Sequence, residues 1–346
     1  MNVEVPMAEK TYYGGQAVME GVMMRGRQGM AVAVRAPSGE ISVYNEPIEL
    51  TGLTARVRPL PFIRGVFLLW DTMLLGMRAL VFSANVGLSE EDEQPGKREP
   101  SSDRKTDIAL WGTVAVSILF SIGLFFVLPL AVVGFVDRHI SSSVVSNLVE
   151  GGIRLALLVG YMLLLGRLGD IRRVFGYHGA EHKTINAYEA GDPLDVEHVR
   201  RHSISHPRCG TGFLLVVVLL SVFLFMLLGR PPLFWRIASR IVLVPVIAAF
   251  AYEFLKWTAV RYRNPIVRVL IAPSMALQHL TTRDPDDSML EVAIAALKRV
   301  LVADGRLAAQ EAAGPGIIPV DHSGRALPDD LRREPATTGA GRPGAR

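Results

Sequence analysis

Apolar residues along this chain are gathered into long blocks instead of recurring with a strand or helix period. Ile108–Val136 runs for 29 residues without a charged side chain. At about 1.5 Å per residue, such a helix exceeds a hydrocarbon core of about 30 Å. Leu148–Leu165, Gly210–Leu228 and Ile237–Trp257 have the same character. About four transmembrane helices are therefore predicted. Arg154 sits near the start of the second block, where it can snorkel outward. Glu253 and Lys256 interrupt the fourth, and Glu253 is read as the only acidic residue deep in a span.

Other segments follow different patterns. Met30–Val34 and Ile41–Tyr44 alternate around Pro37-Ser38-Gly39-Glu40, which predicts a β-hairpin. Phe62–Phe82 is apolar, but Arg64, Asp71 and Arg78 recur every seven residues and share one helical stripe. That pattern predicts a helix lying in the membrane interface or packing its stripe on protein. Ile266–Leu280, with Pro273, is short for a span and predicts an interfacial or re-entrant piece. Asp287–Val302 has the spacing of an amphipathic helix.

The predicted architecture is a mainly α-helical integral membrane protein with a small N-terminal β-hairpin region and interfacial amphipathic helices. Its order is a cytoplasmic β-containing region (1–60), an interfacial helix (61–88) and a flexible, charged linker (89–107). The first transmembrane pair (108–165), a histidine-rich cytoplasmic segment (166–212) and the second pair (213–258) follow. C-terminal interfacial and amphipathic helices (259–303) and a disordered tail (304–346) complete it.

Composition agrees: of 346 residues, 50% are hydrophobic and 20% charged. The net charge of +4 comes from basic residues flanking the apolar blocks, which are read as membrane anchors and not as a nucleic-acid surface. The first residues lack the pattern of a cleaved signal peptide. Cys209, the one cysteine, excludes an intramolecular disulfide. Arg167, Arg172, Arg173, Lys183, Arg200, Arg201 and Arg208 crowd the connection between the second and third spans. The positive-inside rule then places that segment and both termini in the cytoplasm.

Five of the eight histidines fall between His178 and His206. His178 and His182 are one helical turn apart, a spacing that lets two imidazoles reach one ion at about 2.0–2.1 Å. With Glu181 they form H-x-x-E-H, the pattern of inverted zinc peptidases, in which the glutamate is the base. Asp192-Pro193 predicts a helix start, over about 193–202, that would put His198 and His202 on one face. The expected cofactor is a divalent metal, zinc by its donor types. Its third ligand is left open among Glu253, His206 and Cys209, and Cys209 is also weighed as a thiolate nucleophile beside His206. The partners weighed for Glu253 are Lys256 and Arg240. In the N-terminal run Gly14–Gly26, Glu20 and Arg25 are read either as an ion pair or as groups docking over the histidine-rich segment.

Three stretches, GGQAVMEGVMMRG (Gly14–Gly26), GYHGAEHKTINAYE (Gly176–Glu189) and HPRCGT (His206–Thr211), resemble the YqhQ-like family of bacterial membrane proteins. LQHLTTRDPDD (Leu277–Asp287) is similar to that family's C-terminal signature, and the likeness covers about 12–303. The resemblance implies the bacterial plasma membrane and a domain of unknown function labelled a predicted metal-dependent enzyme. The expectation is a cytoplasm-facing hydrolase in which Glu181 is the base and the metal lowers the pKa of bound water toward about 7. A lipid-linked or membrane-protein substrate suits a site at the bilayer surface. The alternatives are a scaffold with a structural metal and, least favoured, a transporter.

Overall fold

The computed structural model describes residues 13–48, 59–88, 104–137 and 139–327. Most of the predicted linker, 89–103, and the tail beyond 327 lie outside the described residues. Four antiparallel strands open the fold in sequence order: β1 (Gly14–Val18), β2 (Gly21–Arg25), β3 (Gly29–Arg35) and β4 (Ile41–Pro47). The predicted hairpin is β3–β4, with Gly39 at φ 92° in its turn. The glycine-bounded run before it forms a second hairpin, in which Val18 pairs with Gly21 and Glu20 takes φ 51°.

A fifth strand, β5 (Ile317–Pro319), pairs parallel with β4. This corrects the expectation of disorder from 304 onward. Three residues in a Gly- and Pro-rich stretch carry no period of their own, and the edge of β4 supplies their partners.

Alternation divides the sheet between two cores. Val22, Met24, Ala31 and Ala33 pack with Tyr177 of α5 (Gly169–Ala190) and with Leu290, Leu297 and Val300 of α10 (Asp287–Ala303). Met23, Val32 and Val34 face Leu75, Ala79 and Phe82 of α1 (Ile63–Leu88). α10 is the predicted amphipathic helix, capped by Asp286 accepting the Met289 N–H at 3.0 Å.

The α1 stripe packs on protein. Arg64 forks onto Glu253 at 2.7 and 2.5 Å, Asp71 pairs with Arg25, and Arg78 reaches Glu46 at 2.6 Å. Its other sides leave Ile63, Val66, Trp70 and Met73 exposed.

Among the described residues, five helices are long and apolar enough to cross a membrane: Ile63–Gly87, Ala115–Val136, Ser143–Leu165, Gly210–Leu228 and Leu233–Val260. The second comprises the end of α2 (Arg104–Ile122), a π-helical turn (Gly123–Val127) and α3 (Leu128–Val136). The next three are α4 (Ser143–Leu165), α7 (Gly210–Leu228) and α8 (Leu233–Val260). Between α5 and α7 lies α6 (Val196–Arg200), and α9 (Pro265–Gln278) follows α8. α7 packs against α4, α8 and α9.

Two readings of charged residues in these helices need correction. Arg154 is buried and bonds Glu150 at 3.0 Å, Ser221 at 3.2 Å and the Phe125 carbonyl at 3.0 Å. Glu150, 2% exposed, is a second acid inside a span, and it also receives Arg236 and Arg240. Neutralising one carboxylate would strand three guanidiniums, and removing one partner of a buried ion pair costs about 3–5 kcal/mol. Glu150→Ala is therefore expected to lower the thermal midpoint of the purified protein sharply, and Glu150→Asp much less. Equal midpoints for Ala and wild type would contradict this account.

Candidate functional site

α5 is the frame of the site. Leu168 precedes it, Gly191 ends it in the left-handed conformation at φ 83°, and its histidine-bearing middle is buried. The β1–β2 turn ties its first half to the sheet: Glu20 accepts from Arg173 at 2.6 Å and from the Tyr177 hydroxyl at 3.2 Å. Arg173 therefore holds the Glu20 carboxyl below the usual range.

His178 and His182 project from α5 into one cavity, their rings 4.4 Å apart. His178 Nδ1 lies 2.9 Å from the Thr281 carbonyl, and His182 Nδ1 lies 2.6 Å from the Ile204 carbonyl. A carbonyl only accepts, so both Nδ1 atoms carry a proton, and in the neutral imidazoles both Nε2 atoms present lone pairs. Metal-binding histidines are oriented by this device.

Cys209 supplies the third donor. It is the N-cap of α7, where its sulfur accepts the Thr211 N–H at 3.4 Å, a position that favours negative charge. Its Sγ stands 3.3 Å from His178 Nε2, and donor atoms of His178, His182 and Cys209 all lie within 4.8 Å of one another. Two ligands at about 2.1 and 2.3 Å on a tetrahedral zinc stand about 3.6 Å apart. Two imidazole nitrogens and a thiol thus fit such an ion in type and spacing.

The cavity, about 80 Å³, is also lined by Tyr13, Gly14, Gly15, Glu181, His206, Arg208 and Gly210. Glu181 is buried among them; desolvation raises its pKa, opposed by His178 and the Gly15 N–H. A Cβ on Gly15 would come within 3.0 Å of Glu181 Cγ, so β1 approaches the carboxylate as closely as glycine alone allows.

His206 is buried beside His182, ring centroids 5.7 Å apart, with its Nε2 3.7 Å from Glu189 and lacking a hydrogen-bond partner. Burial pushes its pKa down to about 4. Glu189 falls to about 2 because His206 and Arg208 outweigh its own burial.

Not every predicted site residue is brought here. Glu253 bonds Arg64 and the Phe62 N–H, and neither Lys256 nor Arg240 is its hydrogen-bonding partner. His198 pairs with Asp195 at 2.8 Å and His202 with Asp192 at 2.8 Å, outside the donor cluster. The short helix there is capped by Asp195, three residues after the predicted cap. Glu20 and Arg25 do not pair with each other; Arg25 bonds Asp71 and Thr72. Cys209 meets His178 instead of His206.

Three residues escaped sequence reasoning. The Thr281 carbonyl fixes His178, its hydroxyl bonds Thr211 at 2.9 Å, and the Gln278 amide grips both the N–H and the carbonyl of His206 at 2.9 Å. Gln278 and Thr281 fall in the Leu277–Asp287 stretch singled out only by resemblance. Gly15 lies in the Gly14–Gly26 run, whose end glycines allow tight turns or close backbone approach, but the run alone does not name Glu181 as the group approached.

The chain was compared with known proteins. A family described as "Protein of unknown function (DUF1385)" matches residues 60–303. "Uncharacterized protein YqhQ" of Bacillus subtilis (strain 168) is 34% identical over 292 residues, spanning 84% of this chain and 92% of that protein. No solved structure matches.

The contact between Gly179 and the Arg283 carbonyl leaves no room for a methyl group. Gly179→Ala is expected to push the 281–285 loop off α5, with an overpacking cost of about 1–3 kcal/mol. Alkylation of Cys209 should accelerate in that variant and not in Gly169→Ala, where a methyl meets open space. An unchanged alkylation rate in Gly179→Ala would refute a link from the loop, through the Thr281 carbonyl and His178, to the thiol.

Proposed function

The chain belongs to the DUF1385 family of proteins of unknown function, and on that footing we propose that it is a metal-dependent hydrolase at the cytoplasmic face of a bacterial plasma membrane. The observation that carries this reading is the convergence of three donors beside a buried carboxyl, with both histidine tautomers fixed by backbone carbonyls.

His178, His182 and Cys209 would hold zinc. When bound, the ion supplies Lewis-acid polarisation and activation of water near neutral pH. Glu181 accepts the proton from the attacking water and returns it to the leaving group. Its burial suits that work, since a carboxyl with a raised pKa exchanges protons nearer neutrality. The Gly15 N–H orients the carboxylate. Cys209 immediately precedes α7, so the site opens beside a span, which favours a lipid-linked or membrane-protein substrate.

A structural-metal scaffold is the rival reading, supported by the unpartnered Nε2 of His206 as a fourth donor. It is disfavoured because His206 stands outside the three-donor cluster.

The sheet supports a topology. β4 precedes every candidate span and β5 follows them all, yet the two strands are hydrogen-bonded neighbours. This pairing favours an even number of crossings between them. Four crossings satisfy this if α1 does not traverse, and α1 is bound to the sheet from Asp71 to Val86. Positive-inside asymmetry sets sheet and site in the cytoplasm.

Three measurements test these proposals. Elemental analysis of purified protein should find about one zinc per chain in wild type and Glu181→Gln, and none in His178→Ala/His182→Ala. Glu181→Gln should fail to complement a deletion strain. Metal-free wild type after zinc addition sinks the metal site; full complementation by Glu181→Gln transfers the case to the scaffold. Reporter fusions at both termini should report the cytoplasm. Opposite compartments would exclude four crossings.

A further inference from the structure

The ion cluster around Glu150 carries more positive charge than its own carboxylates balance. Arg154, Arg236 and Arg240 converge on Glu150, while Asp137 pairs with Arg236 at 3.1 Å and Arg230 at 3.2 Å. Four guanidiniums face two carboxylates, a surplus of two positive charges among the described residues. Arg240 lies seven residues into α8 and Arg154 eleven into α4, about 10 and 16 Å from those helix starts. Both starts are at the end of the bundle opposite Cys209.

Arginine cannot shed this surplus by losing its proton. Ionisable groups at such depth are costly and are found paired or serving a ligand. Phe225, 2% exposed, is covered by Arg240 at 4.1 Å and Arg154 at 5.8 Å, which compensates part of the charge through its ring face. Two donors remain unused: the buried Nε atoms of Arg236 and Arg230 have no hydrogen-bond partner. The Arg236 side chain is 9% exposed, and that of Arg230 is 24% exposed, so Arg230 forms the outer margin.

We propose that this end of the bundle binds one phosphate-class oxyanion, with Arg236 and Arg230 as its contacts and Arg154 and Arg240 as the charge behind them. A lipid phosphodiester in the leaflet facing away from the catalytic side and a free phosphate share this chemistry. Asn147, which donates to the Gly229 carbonyl at 3.2 Å, fixes the α7–α8 turn that carries Arg230.

The test uses the full chain in detergent, delipidated and assayed by thermal unfolding and native mass spectrometry. Its probes are phosphatidylglycerol against diacylglycerol, which lacks the phosphodiester, and inorganic phosphate against chloride at equal ionic strength. A lipid site predicts a phosphatidylglycerol adduct and a midpoint raised by several degrees over diacylglycerol. A site for soluble anions predicts the same protection from inorganic phosphate. In Arg230→Gln/Arg236→Gln the affinity should fall about tenfold or more, as for loss of hydrogen bonds to a charged group. If neither probe moves the wild-type midpoint beyond its control, the proposal fails, whether or not the variant folds. Undiminished binding in a folded double variant would also overturn it.

Discussion

A single sheet built from both ends of the membrane-embedded sequence is the constraint on which the remaining structure depends. β4 stands before the apolar helices and β5 after them, and their pairing brings both ends of that sequence together at one end of the helices. The same sheet is a floor for α5 and α10 on one face and a berth for α1 on the other. β3 is consequently buried on both faces, although its residues still alternate between two cores. Without β5 the sheet would end at β4, an edge open to unwanted pairing.

That floor explains how four distant pieces of chain meet. α5 lies against the sheet, held by Glu20 at one point and by Gly15 at another. The 281–285 loop is pressed on α5 at Gly179, which delivers the Thr281 carbonyl to His178. Gln278 holds the His206 backbone, and that loop leads into Cys209. No formal charge is needed to aim either histidine. Both anchors are neutral backbone carbonyls.

Local signals in the sequence reached as far as local physics does. The β3–β4 hairpin, the α10 stripe and the His178–His182 turn each depend on residues within a few positions of one another, and each is where periodicity placed it. The α1 stripe was legible as polar but not its partners, because Arg64 and Glu253 are 189 positions apart. Cys209 was legible only as one of three candidates for a third donor, since nothing within α5 says which loop closes on it. Asp195 displaced Asp192 as the cap because a cap is chosen by which side chain reaches an N–H, and Pro193 stays outside the helix. β5 has no signal of its own; its conformation is borrowed from β4.

Glu150 shows why charge inside a span is hard to read. Near the start of an apolar block, Glu150 and Arg154 have the spacing of an i,i+4 pair, which suggests a balanced unit. Arg236 and Arg240 repeat that spacing on α8 without a carboxylate of their own, so the balance exists only once α4 and α8 pack. A buried pair alone contributes little net stability after desolvation. Three guanidiniums on one carboxylate are harder still to justify by packing, and a hydrophobic substitute would suffice if stability were the only demand. The surplus of charge stands at the opposite end of the bundle from a site whose anchors are neutral, and it is what the proposed anion would balance. The two polar centres divide the helices into an end that orients donors through neutral carbonyls and an end where guanidiniums outnumber carboxylates.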